Sequence, residues 1–229
     1  MNMNSMDIER ARFNMVEQQI RPWDVLDTRV LDLLHKVPRE LYVPDVYKAL
    51  AFADLEIPLG HGETMLSPKI EARMVQELAV TAGDRILEVG TGSGYLTALL
   101  AKLGGHVYSV DCIAEFTLSA GARLAAQCIS NITLETGDAA GGWDQHGPYD
   151  VIAITGSVPV LAEKFLKSLK PGGRLFAVVG VAPVMEARLI TKSAQGDGHG
   201  GHGGHGTASL FETCIHPLRN APQRSSFSF

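Results

Sequence analysis

The chain has 229 residues, of which 45% are hydrophobic and 20% are charged, and its formal net charge is −5. This length and composition are typical of one globular domain, and the acidic balance without a basic run argues against a general affinity for nucleic acid or anionic membranes. Cys112, Cys128 and Cys214 are widely separated, which predicts neither a disulfide framework nor a metal site. We expect a cytoplasmic protein, because the N-terminus lacks an apolar signal and no segment is apolar enough to span a bilayer.

The first 53 residues are predicted to form a helical extension. Apolar residues recur at helical spacing through 8–20, and Asp27 has the place of an N-cap before a second helix that reaches His35. The segment 38–44 is bounded by prolines, which indicates a short turn or helix.

Beyond the extension, strands and helices alternate. Residues 54–68 are punctuated by proline and glycine and look too polar for a core, so we interpret them as a loop that serves the substrate; a helix over 69–78 follows. Strands are predicted at 85–89, 106–111, 132–136, 150–154 and 174–179. Helices are predicted at 95–103, 113–127 and 159–169. The alternation predicts a doubly wound, mostly parallel, Rossmann-like α/β sheet.

Two final strands, 186–192 and 209–215, are predicted to complete a seven-stranded sheet and to flank a histidine-glycine segment as a hairpin. His199, His202 and His205 repeat there every third residue; such a tract can chelate a metal, but we favour a weakly ordered insertion that binds none. We divide one domain, 1–229, into the extension 1–53, the substrate loop 54–68, an α/β core 69–192, a His/Gly loop 193–208, and a C-terminal strand and tail 209–229.

Gly90, Gly92 and Gly94 alternate between a predicted strand and a predicted helix. Small residues there let backbone N–H groups and the helix start approach a ligand closely. A dinucleotide fingerprint would need a glycine at Tyr95, whereas the pattern here, ExGxGxG from Glu88, resembles motif I of the class I S-adenosylmethionine-dependent methyltransferases. The Glu88 carboxylate also suits a ligand with a sulfonium and an ammonium better than a pyrophosphate. The alternative is that the glycines serve only packing.

Acidic residues at two further strand ends fit a nucleoside. Asp111 ends the next strand about 20 residues after the first glycine, where a carboxylate can accept hydrogen bonds from both ribose hydroxyls. Asp138 could take the exocyclic amine of adenine, with a solvated turn residue as the alternative. S-adenosylmethionine is therefore the predicted cofactor. The predicted cofactor-binding residues are Glu88, Gly90, Thr91, Gly92, Gly94, Asp111, Cys112, Gly137, Asp138 and Ala139.

Seven segments occur in order from about Phe13 to Gly180. They are MVEQQI, VPRELYVP, IPLGHGETM, GDRILEVGTGSGY, GDAAGGW, PYDVIAITG and LKPGGRLFAVVG. Together they resemble the protein-L-isoaspartate (D-aspartate) O-methyltransferase family. The resemblance implies methyl transfer from S-adenosylmethionine to the free α-carboxylate of an isoaspartyl residue, with aged proteins or peptides as substrate. We expect the protein to be a monomer. A carboxylate is already ionised at neutral pH, so this reaction needs no catalytic triad, cysteine or metal.

One departure from the family concerns the substrate loop. In the family the loop after GHG reads much like GQTISQP, with a serine that is assigned a catalytic or substrate-orienting role; here Leu66 stands in its place. Thr64 is kept and Ser67 lies one position later, so these two are the candidate catalytic residues. Ala139 for a glycine and Asp111 for a common glutamate are smaller departures. The predicted substrate-binding residues are Leu59, Gly60, His61, Thr155 and Gly156, the last two following the fourth strand beside the transferred methyl group.

Loss of a hydroxyl donor should weaken binding of a charged carboxylate, which leaves two alternatives open. One is a methyltransferase of the same fold that acts on another, small and less charged acceptor; a hydroxyl acceptor would make His61 the first candidate base. The other is a protein that holds the cofactor without turnover. In the C-terminal tail, Arg219 could meet an acceptor carboxylate and Phe227 and Phe229 could cap the cleft, although a surface tail with a solvated arginine is favoured. Arg21 and Arg39 are likewise interpreted as solvated.

Overall fold

The computed structural model describes residues 5–194 and 204–223, and the N-terminal part of that range is helical. Helix α1 (Ser5–Asn14) continues as a π-helical turn (Met15–Ile20), so the predicted helix is confirmed although its second half changes geometry. Helix α2 (Thr28–Lys36) follows, and Asp27 caps it by accepting a 2.8 Å hydrogen bond from the backbone nitrogen of Arg29, as predicted. A short 3₁₀ turn (Arg39–Leu41) lies between the two prolines.

The interpretation of Arg39 as a solvated residue is wrong. Its side chain is fully buried; Nε donates to the Ala51 carbonyl at 2.9 Å and Nη2 to the Leu66 carbonyl at 2.7 Å. Its Nη1 pairs with the Glu71 carboxylate, and the guanidinium lies 4.9 Å from the centre of the Tyr95 ring. These partners come from distant parts of the chain. Together they compensate the cost of removing the Arg39 guanidinium from water. Arg21, by contrast, is half exposed.

The segment 54–68, which we expected to be a loop outside the core, contains a β-hairpin. Strand β1 (Ile57–Gly60) pairs antiparallel with β2 (Glu63–Met65), and the turn places His61 and Gly62 at φ values of 55° and 82°. The expectation of a polar loop is wrong because Ile57, Met65 and Leu66 are buried. Helix α3 (Pro68–Leu78) follows.

The centre of the protein is the predicted seven-stranded sheet. Its strands are β3 (Arg85–Val89), β4 (His106–Asp111), β5 (Ile132–Thr136), β6 (Tyr149–Val158), β7 (Leu169–Val181), β8 (Val184–Lys192) and β9 (His205–Thr213). The spatial order is β5-β4-β3-β6-β7-β8-β9, with β8 and β9 antiparallel to their neighbours and the rest parallel. The order reverses between β3 and β6, and ligands of doubly wound sheets bind at the carboxyl ends of the strands at such a point.

Several predicted boundaries differ from the structure: β7 begins at Leu169 rather than at 174, and β9 spans His205–Thr213 rather than 209–215. Strand β6 continues through Thr155 and Gly156, so these residues lie within the strand rather than after it. Helix α6 (Glu163–Lys167) is shorter than predicted, because β6 extends to Val158 on one side and β7 begins at Leu169 on the other. Helices α4 (Tyr95–Leu103) and α5 (Ala114–Ala126) agree with prediction within a residue.

Apolar side chains cover both faces of the sheet. Along β3, Ile86 belongs to a cluster with the N-terminal helices and α4, whereas its neighbour Leu87 belongs to a second cluster around Tyr149 and Phe165. Both side chains are fully buried, as expected for a central parallel strand with helices on either face. The core therefore fixes the strand ends from which the site is built.

The predicted pair of strands around the histidine-glycine segment is present as β8 and β9, but β9 begins at His205, so this exposed histidine lies in a strand opposite Lys192 rather than in the predicted loop. His199 and His202 lie outside the described residues, as do Phe227 and Phe229. Within 5–194 and 204–223, no group of three or more histidine, cysteine, aspartate or glutamate side chains could hold a metal ion. Over the same ranges, no helix has both the length and the apolar character that a membrane crossing requires.

Candidate active site

A cleft lies at the carboxyl ends of β3, β4 and β6 and encloses about 840 Å³, part of it open to solvent. We call one side the glycine-loop half, lined from residues 88–93, 110–113 and 137–140. We call the other side the hairpin half, lined from residues 59, 63–66, 155–156 and 216–219. The cleft thus occupies the position that the strand order predicts for a ligand site.

The three alternating glycines have two different structural roles. Gly90 and Gly92 line the cleft at φ values of 97° and 48°, and a Cβ on Gly90 would stand 2.1 Å from the Thr155 hydroxyl oxygen. Gly94 caps α4 at a φ of 85° and is not part of the cleft lining; a Cβ there would stand 2.9 Å from the Cβ of Ala120. Two glycines therefore open the backbone to a ligand, and the third packs α4 against α5.

Asp111 couples the glycine loop to the next strand. Its Oδ2 accepts a 2.9 Å hydrogen bond from the backbone nitrogen of Gly92, and its Oδ1 accepts one of 2.9 Å from Ile113. Burial raises the pKa of this carboxyl, while the two backbone donors oppose the shift. Thr91 is held by a 2.6 Å hydrogen bond to Ser109, and Cys112 is exposed at the rim. The predicted residues of this strand end therefore lie together.

Glu88 is the most unusual group of the cleft. It is fully buried, and its Oε2 accepts a 2.5 Å hydrogen bond from the Thr97 hydroxyl. Its Oε1 has no hydrogen-bond partner among the described residues. Burial raises the pKa of this carboxyl to about 8. A buried oxygen left without a donor in a ligand cleft is the chemistry that an ammonium group satisfies, so the residues present fit the α-amino end of S-adenosylmethionine.

The third predicted strand end also contributes to the cleft. Asp138 accepts 3.0 Å hydrogen bonds from the Ala140 backbone and from the Asn220 amide. Gly137 donates its backbone N–H to the Asp111 carbonyl at 2.9 Å, and a Cβ on Gly137 would stand 2.6 Å from the Trp143 ring. Gly137, Asp138 and Ala139 all line the cleft beside Asp111, so both candidate nucleoside carboxylates face one space.

Sequence reasoning missed two acidic residues of the cleft, Glu63 and Glu71. Glu71 is fully buried, and burial raises its pKa to about 7 although the Arg39 guanidinium opposes the shift. A signal was available for Glu71, which lies four residues before Val75 and seven before Leu78, on the apolar face of α3. With these two, the carboxylates that line the cleft are Glu63, Glu71, Glu88, Asp111 and Asp138.

The predicted substrate-binding and catalytic residues are only partly brought together. Leu59, Thr64 and Leu66 line the cleft, whereas Ser67 is 7% exposed and outside the lining. The Thr64 hydroxyl donates to Glu56 at 3.0 Å. Thr155 and Gly156 line the cleft, and the Thr155 hydroxyl donates to the carbonyls of Val89 and Gly90 at 2.9 and 3.0 Å.

His61 and Gly60 form the tip of the hairpin and lie outside the cleft lining. The His61 Nε2 lies 2.5 Å from a carboxylate oxygen of Glu115, and the imidazole meets the Phe116 ring edge-on at 5.7 Å. The side chain therefore fastens the hairpin tip to α5.

The C-terminal segment 216–219 closes one side of the cleft. Ser157 donates to the His216 carbonyl at 3.0 Å and accepts from the Leu218 backbone at 2.8 Å, which fixes the segment beside β6. Arg219 donates to Glu63 at 2.9 Å and to the His61 carbonyl at 2.6 Å. Arg219 is exposed, as the favoured interpretation of a surface tail expects, but it also ties the tail to the hairpin.

Comparisons with known proteins agree with this architecture. The family model for protein-L-isoaspartate(D-aspartate) O-methyltransferase matches residues 10–200. A "Protein-L-isoaspartate O-methyltransferase 2" of Shewanella sediminis is 36% identical over 190 residues, which cover 83% of this chain and 78% of the relative. A "Protein-L-isoaspartate O-methyltransferase" of Methanoculleus marisnigri is 39% identical over 178 residues, which cover 78% and 81%.

Solved structures support the fold. One, described as a protein-L-isoaspartate O-methyltransferase, superposes with a TM-score of 0.74 at 24% identity, covering 90% of this chain and 65% of its own length. Another, a Plasmodium falciparum protein described as of the same kind and bound to S-adenosyl-L-homocysteine, has a TM-score of 0.75 at 19% identity and coverage of 93% and 98%. Given the family match over most of its length, the chain belongs to the protein-L-isoaspartate(D-aspartate) O-methyltransferase family.

Proposed function

We propose that this protein is an S-adenosylmethionine-dependent methyltransferase that esterifies the free α-carboxylate of L-isoaspartyl residues, the first step in the repair of aged proteins. Membership of the family supports the reaction. The single structural observation that carries the proposal is the acidic cleft at the strand switch point, in which a fully buried Glu88 oxygen lacks a partner among the described residues. A cationic cofactor is the ligand that such a cleft is built to receive.

Each residue that would hold S-adenosylmethionine suits a different part of the cofactor. Asp111 is suited to the ribose hydroxyls, Asp138 to the adenine amine and Glu88 to the α-ammonium, while Gly90 and Gly92 let the backbone approach. When bound, the cofactor supplies an electrophilic methyl group on a sulfonium.

The protein's own contribution to the reaction is to orient and enclose the acceptor. A carboxylate with an ordinary pKa near 4 is ionised at neutral pH and attacks without a general base. Leu59, Met65 and Leu66 present apolar side chains to the hairpin half and limit the access of water to the reacting groups. Holding the two reactants in line then supplies most of the rate increase.

The test is incubation with labelled S-adenosylmethionine and a matched pair of peptides, one isoaspartyl and one aspartyl. We expect a base-labile methyl ester on the isoaspartyl peptide and none on its aspartyl counterpart. Equal labelling of both peptides, or of neither, contradicts the proposed substrate.

A second candidate function is methylation of a smaller, less charged acceptor. The observation that favours it is Leu66, whose apolar side chain is 6% exposed and lines the hairpin half where the family has a serine. This alternative predicts calorimetric binding of S-adenosylhomocysteine without isoaspartyl turnover, and activity on a small acceptor. Binding without transfer to any acceptor would instead indicate a protein that holds the cofactor only.

We also propose that the protein works as a cytoplasmic monomer without a nucleic-acid or membrane partner. The supporting observations are the net charge of −5 and three free cysteines, all exposed, which suit a reducing compartment. Light scattering coupled to size-exclusion chromatography checks the monomer, which a dimer mass would contradict.

A further inference from the structure

The charges that line the cleft present a difficulty for an anionic acceptor. Five carboxylates line it, and two of them, Glu71 and Glu88, are fully buried. Glu71 pairs with Arg39, and burial raises the pKa of Glu88 to about 8. The repulsion that a second carboxylate meets therefore comes from the remaining lining carboxylates, Glu63, Asp111 and Asp138. Among the described lining residues, the guanidinium of Arg219 is the only arginine or lysine group.

Hydroxyl donors do not resolve the difficulty in the hairpin half. Leu66 stands where the family has its serine, and Ser67 does not line the cleft. The two lining hydroxyls, Thr64 and Thr155, already donate to Glu56 and to backbone carbonyls. Neither can donate a second hydrogen, because a hydroxyl carries only one. The other side chains of the hairpin half that carry N–H donors for the acceptor carboxylate are His216 and Arg219, and Arg219 is the one that always carries a charge.

Arg219 is placed and oriented for this purpose. Its Nε donates to Glu63 and its Nη2 to the His61 carbonyl, so these two hydrogen bonds fix the plane of the guanidinium. Its Nη1 makes no hydrogen bond among the described residues, and the side chain is 43% exposed. Ser157 holds the backbone on both sides of Pro217. Because Nε and Nη2 hold the guanidinium in place and Nη1 can still donate, Arg219 is a preorganised site for a carboxylate.

We propose that Arg219 binds the acceptor carboxylate and thereby determines specificity, a proposal that rests on the proposed function above. One carboxylate oxygen accepts from the guanidinium, and the other attacks the methyl carbon. The new O–CH₃ bond forms as the C–S bond breaks with its electron pair going to sulfur, and no proton is transferred. The carboxylate charge and the sulfonium charge cancel in the ester and thioether. Because the ester no longer pairs strongly with Arg219, the same interaction favours substrate over product.

Glu63 makes the proposal testable, because it competes for the same guanidinium. Its carboxylate pairs with Arg219 at 2.7 Å and lies 3.7 Å from His216. An incoming carboxylate must share Arg219 with Glu63, so removing the charge of Glu63 should strengthen acceptor binding. If Arg219 only fastens the C-terminal segment to the hairpin, removing either partner should instead harm the enzyme in the same direction.

The experiment measures kcat and KM for an isoaspartyl peptide with the full chain, Arg219→Gln and Glu63→Gln. We expect Arg219→Gln to raise KM about tenfold with kcat within about twofold, as for removal of one charged hydrogen bond. Glu63→Gln should lower KM about threefold, as for a partly exposed ion pair. Arg219→Lys should fall between the parent and Arg219→Gln. The calorimetric Kd of S-adenosylhomocysteine is measured for all three variants, because the charge of Glu63 also acts on the Asp111 carboxyl in the same cleft, and it should change less than the KM.

The outcomes separate this proposal from the proposed function. If the parent binds S-adenosylhomocysteine but forms no isoaspartyl ester, the proposed function fails and takes this assignment with it. If the parent is active and the two KM values rise together, or Arg219→Gln leaves KM unchanged, only the role of Arg219 is overturned. Should Arg219→Gln fail to fold, as judged by thermal melting, Glu63→Gln decides alone: a lower KM supports the proposal and an unchanged or higher KM overturns it.

Discussion

The two halves of the cleft are assembled in different ways. In the glycine-loop half, backbone N–H groups are the donors: Gly92 donates to the Asp111 carboxylate, and Gly137 donates to the Asp111 carbonyl at the ends of neighbouring parallel strands. In the hairpin half, side chains join distant segments, as when Arg219 reaches His61, 158 residues away. The first half is held by the register of the central sheet, whereas the second adds side-chain contacts between distant segments to the pairing of β1 with β2 and of Ser157 with 216–218. Substitutions of exposed residues in the hairpin half can therefore change the acceptor with less effect on the fold than substitutions in the glycine-loop half.

Gly90→Ala should distort the glycine-loop half and have the largest effect of the substitutions on ligand binding. The new Cβ would stand 2.1 Å from the Thr155 hydroxyl oxygen in a backbone held at a φ of 97°. Left-handed strain and overpacking each cost about 1–3 kcal/mol, so we expect the Kd of S-adenosylhomocysteine to rise about a hundredfold. Isothermal calorimetry measures the Kd.

Gly83→Ala is the matched control, because nothing lies within 4 Å of its Cβ position and its φ is ordinary. It should bind with the parent's affinity. Equal binding by Gly90→Ala would show that the loop adapts and that this half is less rigid than its hydrogen bonds indicate.

Glu88, in the glycine-loop half, should make the free energy of unfolding depend on pH. Burial raises its pKa from 4.5 to about 8, so the folded protein keeps a proton that the unfolded chain releases above pH 4.5. The folded state then binds more protons between those values, and the free energy of unfolding falls as pH rises through this window and levels off above it. Glu88→Gln, which cannot ionise, should show a smaller fall when urea denaturation is measured from pH 5 to 8. An identical slope in both proteins contradicts the assignment.

Glu88 should also release a proton when S-adenosylhomocysteine binds. An ammonium beside Glu88 favours the ionised carboxylate, so S-adenosylhomocysteine should displace its proton at pH 7. Calorimetry in buffers of different ionisation enthalpy counts that proton in the parent, and Glu88→Gln should release less. No difference between the two proteins would mean that the ligand's charge lies elsewhere.

Local patterns explain why the glycine-loop half could be predicted from the sequence. The glycines, Glu88 and Asp111 all fall within one strand-helix-strand unit, whose period and turn residues are visible without tertiary information. The lengths of β6 and α6 were less predictable, since β6 gains its last residues by pairing with β7. The strand pair around the histidine-glycine segment was readable from its apolar residues, except for the polar start of β9 at His205.

The hairpin half was not predictable in the same way. Glu63 and Arg219 are 156 residues apart, and no local pattern links them. Arg39 has an arginine's usual preference for the surface, and only its four partners in the folded protein make burial favourable. The apolar character of Ile57 and Met65 was hidden among prolines and glycines that indicated a loop. Long-range polar contacts, rather than propensities, decided this region.

Replacement of Leu66 should have the smallest effect on KM. It tests whether a serine hydroxyl at this position, as in the family, strengthens acceptor binding. Leu66→Ser places a hydroxyl in the cleft lining, while Leu66→Ala removes the same apolar branch without a donor. Both should lower Tm, because a side chain that is 6% exposed leaves a cavity. We expect KM for the isoaspartyl peptide to be about threefold lower in Leu66→Ser than in Leu66→Ala, as for one neutral hydrogen bond partly open to solvent. Equal KM values would mean that Arg219 already satisfies the acceptor carboxylate and that a serine at this position adds no binding energy.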